Sequence, residues 1–337
     1  MNWKRIRKWS LGIICLLLVA GYFYPMPYYV SKPGMAKELE PIVSVEGGYP
    51  SEGSFELTTI QMGKANLYTY VLSNWFDYWS VYKEEEVKRS DETDDEYNVR
   101  QLYLMKGSKS NAIMSAFREA GLPYETHYEG VYVLSTLEDM PAYDVLQAGD
   151  RITKVNGEQL TSSEQLMTYI QDQSEGSAIQ IEIVRDDEII ETSVETKVNP
   201  ENDKLGIGIV LVDDITVETD PKVEIDSSTI GGPSAGLMFS LEIYNQLVKE
   251  DMTKGYTIAG TGTIDEEGHV GAIGGIDQKI VAASESGADI FFAPNENGAV
   301  GSNYEVALAT AEDIGTSMKV VPVDTMEDAL NYLKSLE

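Results

Sequence analysis

Ser234 stands in Gly231-Gly232-Pro233-Ser234-Ala235-Gly236, a glycine–proline turn that runs directly into the apolar, helically spaced LMFSLEIYN. A serine at the start of a helix lies beside N–H groups without intrahelical partners, so negative charge developing at its side chain is favoured. Three plainer roles compete: a helix N-cap, a phosphate cradle and a tight turn. A phosphate loop wants G-x-x-x-x-G-K-[ST], and no lysine follows this helix start, so ATP binding through it is not expected. A nucleophilic serine needs a base. His127 and His269 are the two histidines, and His269, in the turn-like EEGHVGA, is poorly framed as the base of a triad. A neutral lysine is the other option. Gly274-Gly275 lead into a helix from Ile276, with Lys279 on its first turn among Ile276, Ile280, Val281 and Ala282. Apolar surroundings and a nearby helix N-terminus both disfavour the ammonium form. To serve as a base near neutrality its pKa must fall by about 3 units from roughly 10.4.

GGPSAG, followed 45 residues later by the lysine of VGAIGGIDQK, resembles the proteolytic domain of Lon-type Ser/Lys proteases over about residues 205–337. The resemblance implies that Ser234 is the nucleophile, that Lys279 is general base and then acid, and that Thr261, in GTGTIDEEG, hydrogen-bonds the lysine. The N–H groups of Gly232 and Ser234 are geometric candidates for an oxyanion hole. One departure stands out: Gly231 occupies the position where the family has an acid in D-G-P-S-A-G.

Other segments must position this pair. GSFELTTIQM (53–62) alternates as a half-buried strand, expected to join the same fold, and ANLYTYVLSNWFDYWSVY (65–82) reads as a helix. The acidic run KEEEVKRSDETDDEY (83–97) reads as a solvated face or loop, and its spacing matches no EF-hand. SNAIMSAFREAGL (110–122) reads as a helix capped by Ser110 or Asn111. From His127 to Glu195 the chain resembles a PDZ domain, through LQAGDRITKVNGEQL, an amphipathic helix and two further strands. In that family a peptide C-terminus adds beside the first strand, here Gly130, Val131, Tyr132 and Val133, with Tyr128, Glu129 and Gly130 in the carboxylate loop. These residues do not spell the family's GLGF. VNPENDKLG is a polar linker, after which strands and helices mix without strict alternation. We therefore expect an α+β fold with four segments: 1–32 as basic flank and membrane anchor, 33–120 as strand and helices of the protease fold, 121–198 as PDZ domain and 199–337 as proteolytic domain.

The 337 residues carry a net charge of −31. The first 37 hold six bases and no acid, so the remainder has 19 − 56 = −37, which excludes nucleic acid as a partner. Lys4, Arg5, Arg7 and Lys8 precede an uncharged run, Trp9 to Tyr24, and Trp9 to Val30 is just long enough to cross a bilayer as an uncleaved anchor with the basic flank inside. The lone cysteine, Cys15, lies in this run, so zinc has almost no ligands elsewhere, and no metal or cofactor is expected. The whole chain resembles the membrane-anchored, PDZ-containing Lon-like proteases of Gram-positive bacteria, having no Walker motif within these residues. That resemblance implies an ATP-independent serine endopeptidase outside the cytoplasm, acting on flexible peptides or small membrane or secreted regulatory proteins. Homo-oligomers are possible, since Lon-type domains form hexameric rings. The alternative is a non-catalytic, membrane-tethered PDZ adaptor on a Lon-like fold.

Overall fold

The computed structural model describes residues 9, 16, 19–89, 92–200, 202–227 and 230–336. Its first block runs β1 (Pro25–Glu38), β2 (Val43–Val45), β3 (Ser54–Asn66), α1 (Leu67–Leu72), β4 (Ser80–Lys83), α2 (Glu84–Val87) and α3 (Asp94–Ala120). The second runs β5 (Tyr124–Thr136), β6 (Arg151–Val155), β7 (Glu158–Gln159), α4 (Ser163–Gln171), β8 (Ala178–Arg185), β9 (Glu188–Glu195), β10 (Lys197–Val198), β11 (Leu205–Gly206) and β12 (Ile209–Thr219). The third runs β13 (Val223–Ile225), α5 (Gly236–Leu247), β14 (Thr257–Gly260), β15 (Thr263–Ile264), β16 (Val270–Gly271), α6 (Ile276–Ser286), β17 (Ile290–Pro294), α7 (Asn303–Asp313), β18 (Lys319–Val323) and α8 (Met326–Lys334).

One six-stranded sheet, in the order β18-β17-β14-β3-β1-β4, unites the first and third blocks. Its parallel strands are buried on both faces, which is why IFFAP in β17 reads as one apolar run rather than an alternation. Phe55, Leu57, Ile258 and Phe292 face a core shared with α3, α5 and α8, whereas Ala259, Phe291 and Ala293 face α6 and α7. The helix that follows Ser234 and the helix that bears Lys279 thus lie on opposite faces, and they meet where β14 ends. Gly260 allows that approach, because a Cβ there would lie 2.5 Å from Met238 Sδ of α5.

A second sheet, β12-β5-β6-β8-β9, encloses its own core of Val131, Val133, Ile152, Leu166 and Ile181. The sequence boundary at 198/199 is corrected here, since β12 pairs with β5 along its whole length and belongs to this sheet. Between the two sheets runs α3. It begins 16 residues before the expected Ser110 cap, at Asp94, with a capping box between Thr93 and Glu96. Asp94, Asp95 and Glu96 fill its first turn, so these acids, with Asp94 and Asp95 exposed as a solvated face would have them, also complement a helix N-terminus. The expected helix over 65–82 shrinks to α1, and its last residues form β4 against β1.

The expected membrane run is also cut short. Pro25 opens β1, which pairs with β3 and β4, so residues 25–30 are sheet rather than membrane helix. Among the described residues no helix is long and apolar enough to cross a membrane. Most of residues 1–18 lie outside the described residues.

Candidate active site

Ser234 sits on the turn before α5, whose N-cap is Ala235. The turn is shaped from α3. Gly232, at φ +86°, donates its N–H to the Gln101 carbonyl at 3.0 Å, and Ser108 Oγ donates to the Pro233 carbonyl at 3.0 Å. A left-handed φ of this kind is where glycine has no steric penalty. This geometry corrects one expectation: the Gly232 N–H is committed to Gln101 and is not available to an oxyanion. The N–H groups of Ser234 and Ala235 have no partner among the described residues.

Lys279 lies in the first turn of α6, after Gly275 as N-cap, and is 2% exposed. Its Nζ is 2.8 Å from Ser234 Oγ and 2.8 Å from Thr261 Oγ1. Thr261, fully buried just past β14, donates its own hydroxyl proton to the Ser234 carbonyl at 2.9 Å. Its oxygen must therefore accept from Lys279. With one N–H on Thr261, a neutral amine can turn its lone pair to the Ser234 hydroxyl. No carboxylate is in contact with Nζ among the described residues, and burial alone pushes the Lys279 pKa down to about 7. The Gly262 N–H also binds the Ser234 carbonyl, at 2.9 Å, so the Ser234 backbone is held from two sides.

The pair opens into a cleft of about 720 Å³ lined by Met35, Leu57, Ile60, Met62, Met105 and Ile230 among others. β14 pairs with β3 as far as Leu57, and the next β3 residues, Thr58 to Met62, line the cleft with that edge left without a strand among the described residues. An unpaired edge beside a nucleophile can take an extended chain as a further strand. His269 is exposed, paired with Asp265 at 2.9 Å, and has no contact with Ser234. His127, equally remote, contacts Glu218.

The peptide groove expected at Tyr128, Glu129, Gly130, Val131, Tyr132 and Val133 is corrected. Residues 130–133 pair with β12 on one side, Leu211 facing Val133, and Val131 and Tyr132 pair with β6 on the other. Neither edge is free, and Val131 and Val133 are core. Tyr128 and Glu129 are spent on Asp213 and Thr216 of β12. Of this sheet's two outer edges, β9 and β12, that of β12 lies next to α4, whose Ser163 N–H donates to Asp213 Oδ1 at 2.6 Å. The signal for it was KLGIGIVLV, in which glycines alternate with Leu205, Ile207 and Ile209 before a strand.

Comparison with known proteins matches two parts of the chain. Residues 116–196 match the PDZ domain family, and residues 221–335 match the Lon protease (S16) C-terminal proteolytic domain. A Lon protease of Aster yellows witches'-broom phytoplasma is 28% identical over 121 residues, 35% of this chain and 14% of that protein. That of Metamycoplasma arthritidis is 33% identical over 102 residues, 30% of this chain and 11% of that protein. The chain thus spans a small part of these relatives. The solved PDZ domain of an SdrC-like protein from Listeria monocytogenes is 36% identical, covering 26% of this chain and 90% of that domain, with a TM-score of 0.24. Within one mixed α/β fold the chain thus has one segment that matches a PDZ domain and one that matches a Lon-type (S16) proteolytic domain, and the second match suggests serine peptidase activity.

Proposed function

We propose that the protein is an ATP-independent, membrane-anchored serine endopeptidase working outside the cytoplasm with Ser234 and Lys279. The reading rests on one observation, an amine with its pKa pushed down to about 7, 2.8 Å from a serine hydroxyl and without a counter-charge. Ser234 Oγ bonds to the scissile carbonyl carbon while its proton passes to Lys279 Nζ. The C–N bond then breaks, the proton goes to the leaving amine, and water, deprotonated by the same lysine, releases the acyl group. The Ser234 and Ala235 N–H groups are the free donors for the oxyanion. Thr261 orients Nζ.

The substrate is an extended chain added to β3 at Thr58 to Met62, with apolar side chains among the cleft's methionines. Pairing of this kind needs an unfolded segment, which favours flexible peptides and small membrane or secreted regulatory proteins over stable domains. A substrate C-terminus antiparallel to the outer edge of β12 would bring its carboxylate to the turn at Gly206 to Gly208. The anchor is the uncharged run Trp9 to Tyr24, extended at its inner end by the snorkelling stems of Lys4, Arg5, Arg7 and Lys8, single-pass with the N-terminus inside. A PDZ adaptor without catalysis would have no use for a buried amine facing a serine.

The test is cleavage of unfolded casein without nucleotide. Wild type should cut, and Ser234→Ala and Lys279→Ala should each fall by about 10⁴-fold or more. Equal cleavage by all three proteins would refute the assignment.

A further inference from the structure

Residues 65–82, ANLYTYVLSNWFDYWSVY, hold seven aromatic side chains and a single charge, Asp77, in a chain that is 24% charged and 9% aromatic. These side chains do not build a core. Trp75 is 78% exposed, Phe76 52%, and Leu67 and Val71 44% each, all on α1 and the turn after it. Close by, Tyr22, Phe23 and Tyr24 are 61%, 75% and 63% exposed. The two groups are neighbours. A Cβ on Gly21 would lie 3.3 Å from both Leu67 Cδ2 and the Tyr68 hydroxyl, and the Tyr28 and Tyr70 rings are 5.1 Å apart. The turn is also fixed in place: the Tyr78 hydroxyl donates to Asp313 of α7, Phe76 stacks on Trp79 at 5.2 Å, and the Lys32 ammonium lies 5.1 Å from the Trp79 ring centre.

A rigid display of exposed tryptophan and phenylalanine, with one acid among its eighteen residues in a strongly acidic chain, calls for an occupant. Its place in the fold names one. The patch adjoins the end of the uncharged run Trp9 to Tyr24, and a bilayer holding that run would bring its headgroup layer to Tyr22, Phe23 and Tyr24 and so to the patch. Headgroup depth is where amphipathic aromatic rings are favoured.

We propose that α1 and the turn after it, 67–79, form a foot that sets Trp75 and Phe76 into the membrane interface and fixes the orientation of the proteolytic domain above it. This rests on the membrane anchoring proposed above. β1 rises from this foot, and Met35, ten residues beyond Pro25 on the same strand, lines the cleft. At about 3.3 Å per residue the cleft then stands no more than about 33 Å above the interface. A substrate segment emerging from the same membrane would reach it in extended form.

The test uses the full chain with Cys15→Ser, reconstituted in phosphatidylcholine/phosphatidylglycerol vesicles. A single Trp75→Cys, Leu67→Cys or Val300→Cys carries an NBD label, Val300 being 97% exposed on the loop before α7, at the opposite end of that helix from Asp313. Flotation reports anchoring, and quenching by doxyl-labelled lipids reports depth. We expect flotation of all three, with quenching at positions 75 and 67 at least about threefold that at 300. Flotation with positions 75 and 67 as water-exposed as 300 would overturn the foot and leave the anchor standing. A blue-shifted label that lipid does not quench would overturn it in favour of contact with a second copy. A chain that stays at the bottom of the gradient would overturn anchor and foot together.

Discussion

Lys279 and Asp214 are withdrawn from water to the same degree, 2% and 1% exposed, yet the fold treats them in opposite ways. Asp214, where the PDZ sheet meets α3, is met by the Lys106 ammonium and by Arg151 Nη1 at 3.3 Å. Lys279, at the cleft, meets two hydroxyls. A counter-charge secures the ionised form and makes a buried group structural, whereas hydroxyls leave burial to decide and favour the neutral amine. Glu242 shows that burial alone makes no site. It is 2% exposed, accepts from the Gln246 amide at 2.6 Å, has its pKa raised to about 7 and lines a small pocket of about 210 Å³, but among the described residues no serine hydroxyl is hydrogen-bonded to it.

The comparison has consequences for stability that differ in sign. Lys279 has a folded pKa below its unfolded one, so between about 7 and 10.5 the unfolded chain holds the extra proton and stability rises with pH. Below about 7 the full penalty of the buried ammonium is present. Lys279→Met should therefore stabilise the protein by about 3–5 kcal/mol at pH 6, with the gain gone by pH 10.5, in urea melts at the two pH values. A loss of stability at pH 6 would show that the site stabilises the charged form. Lys106→Met, in contrast, should destabilise by about 1–3 kcal/mol, discounted because the Lys106 side chain is 40% exposed. Between these in size stands Thr261→Val, which removes the acceptor that orients Nζ. We expect kcat to fall about 30-fold with KM little changed, and Thr261→Ser to restore most of it. A Thr261→Val as active as wild type, or a Thr261→Ser as slow as Thr261→Val, would overturn the assignment of that role to the hydroxyl alone.

Ser234 and Lys279 could be singled out because their local settings are distinctive, a glycine–proline turn before a helix and a lysine one turn into another helix among apolar neighbours, and the resemblance paired them; the structure sets them 2.8 Å apart. The site's third member, Thr261, came from the resemblance and lies within hydrogen-bond reach of both. What could not be read depended on distant partners. The Gly232 N–H is taken by the carbonyl of Gln101, far away on α3, and no pattern around GGPSAG signals that. Residues 94–109 carry too many polar groups for apolar spacing to mark a helix, although Thr93 with Glu96 spelled its cap. The groove strand was misassigned because the sheet closes with β12, beyond a polar linker that looked like a domain boundary.

The central claim is that Lys279 acts as an uncharged base, and the pH dependence of kcat/KM on an unfolded peptide, without nucleotide, tests it most directly. We expect activity to rise with pH through about 7 to a plateau as Lys279 loses its proton, and to be absent in Lys279→Ala at every pH. A flat profile across that range in an active wild type, or cleavage that persists in Lys279→Ala, would contradict it.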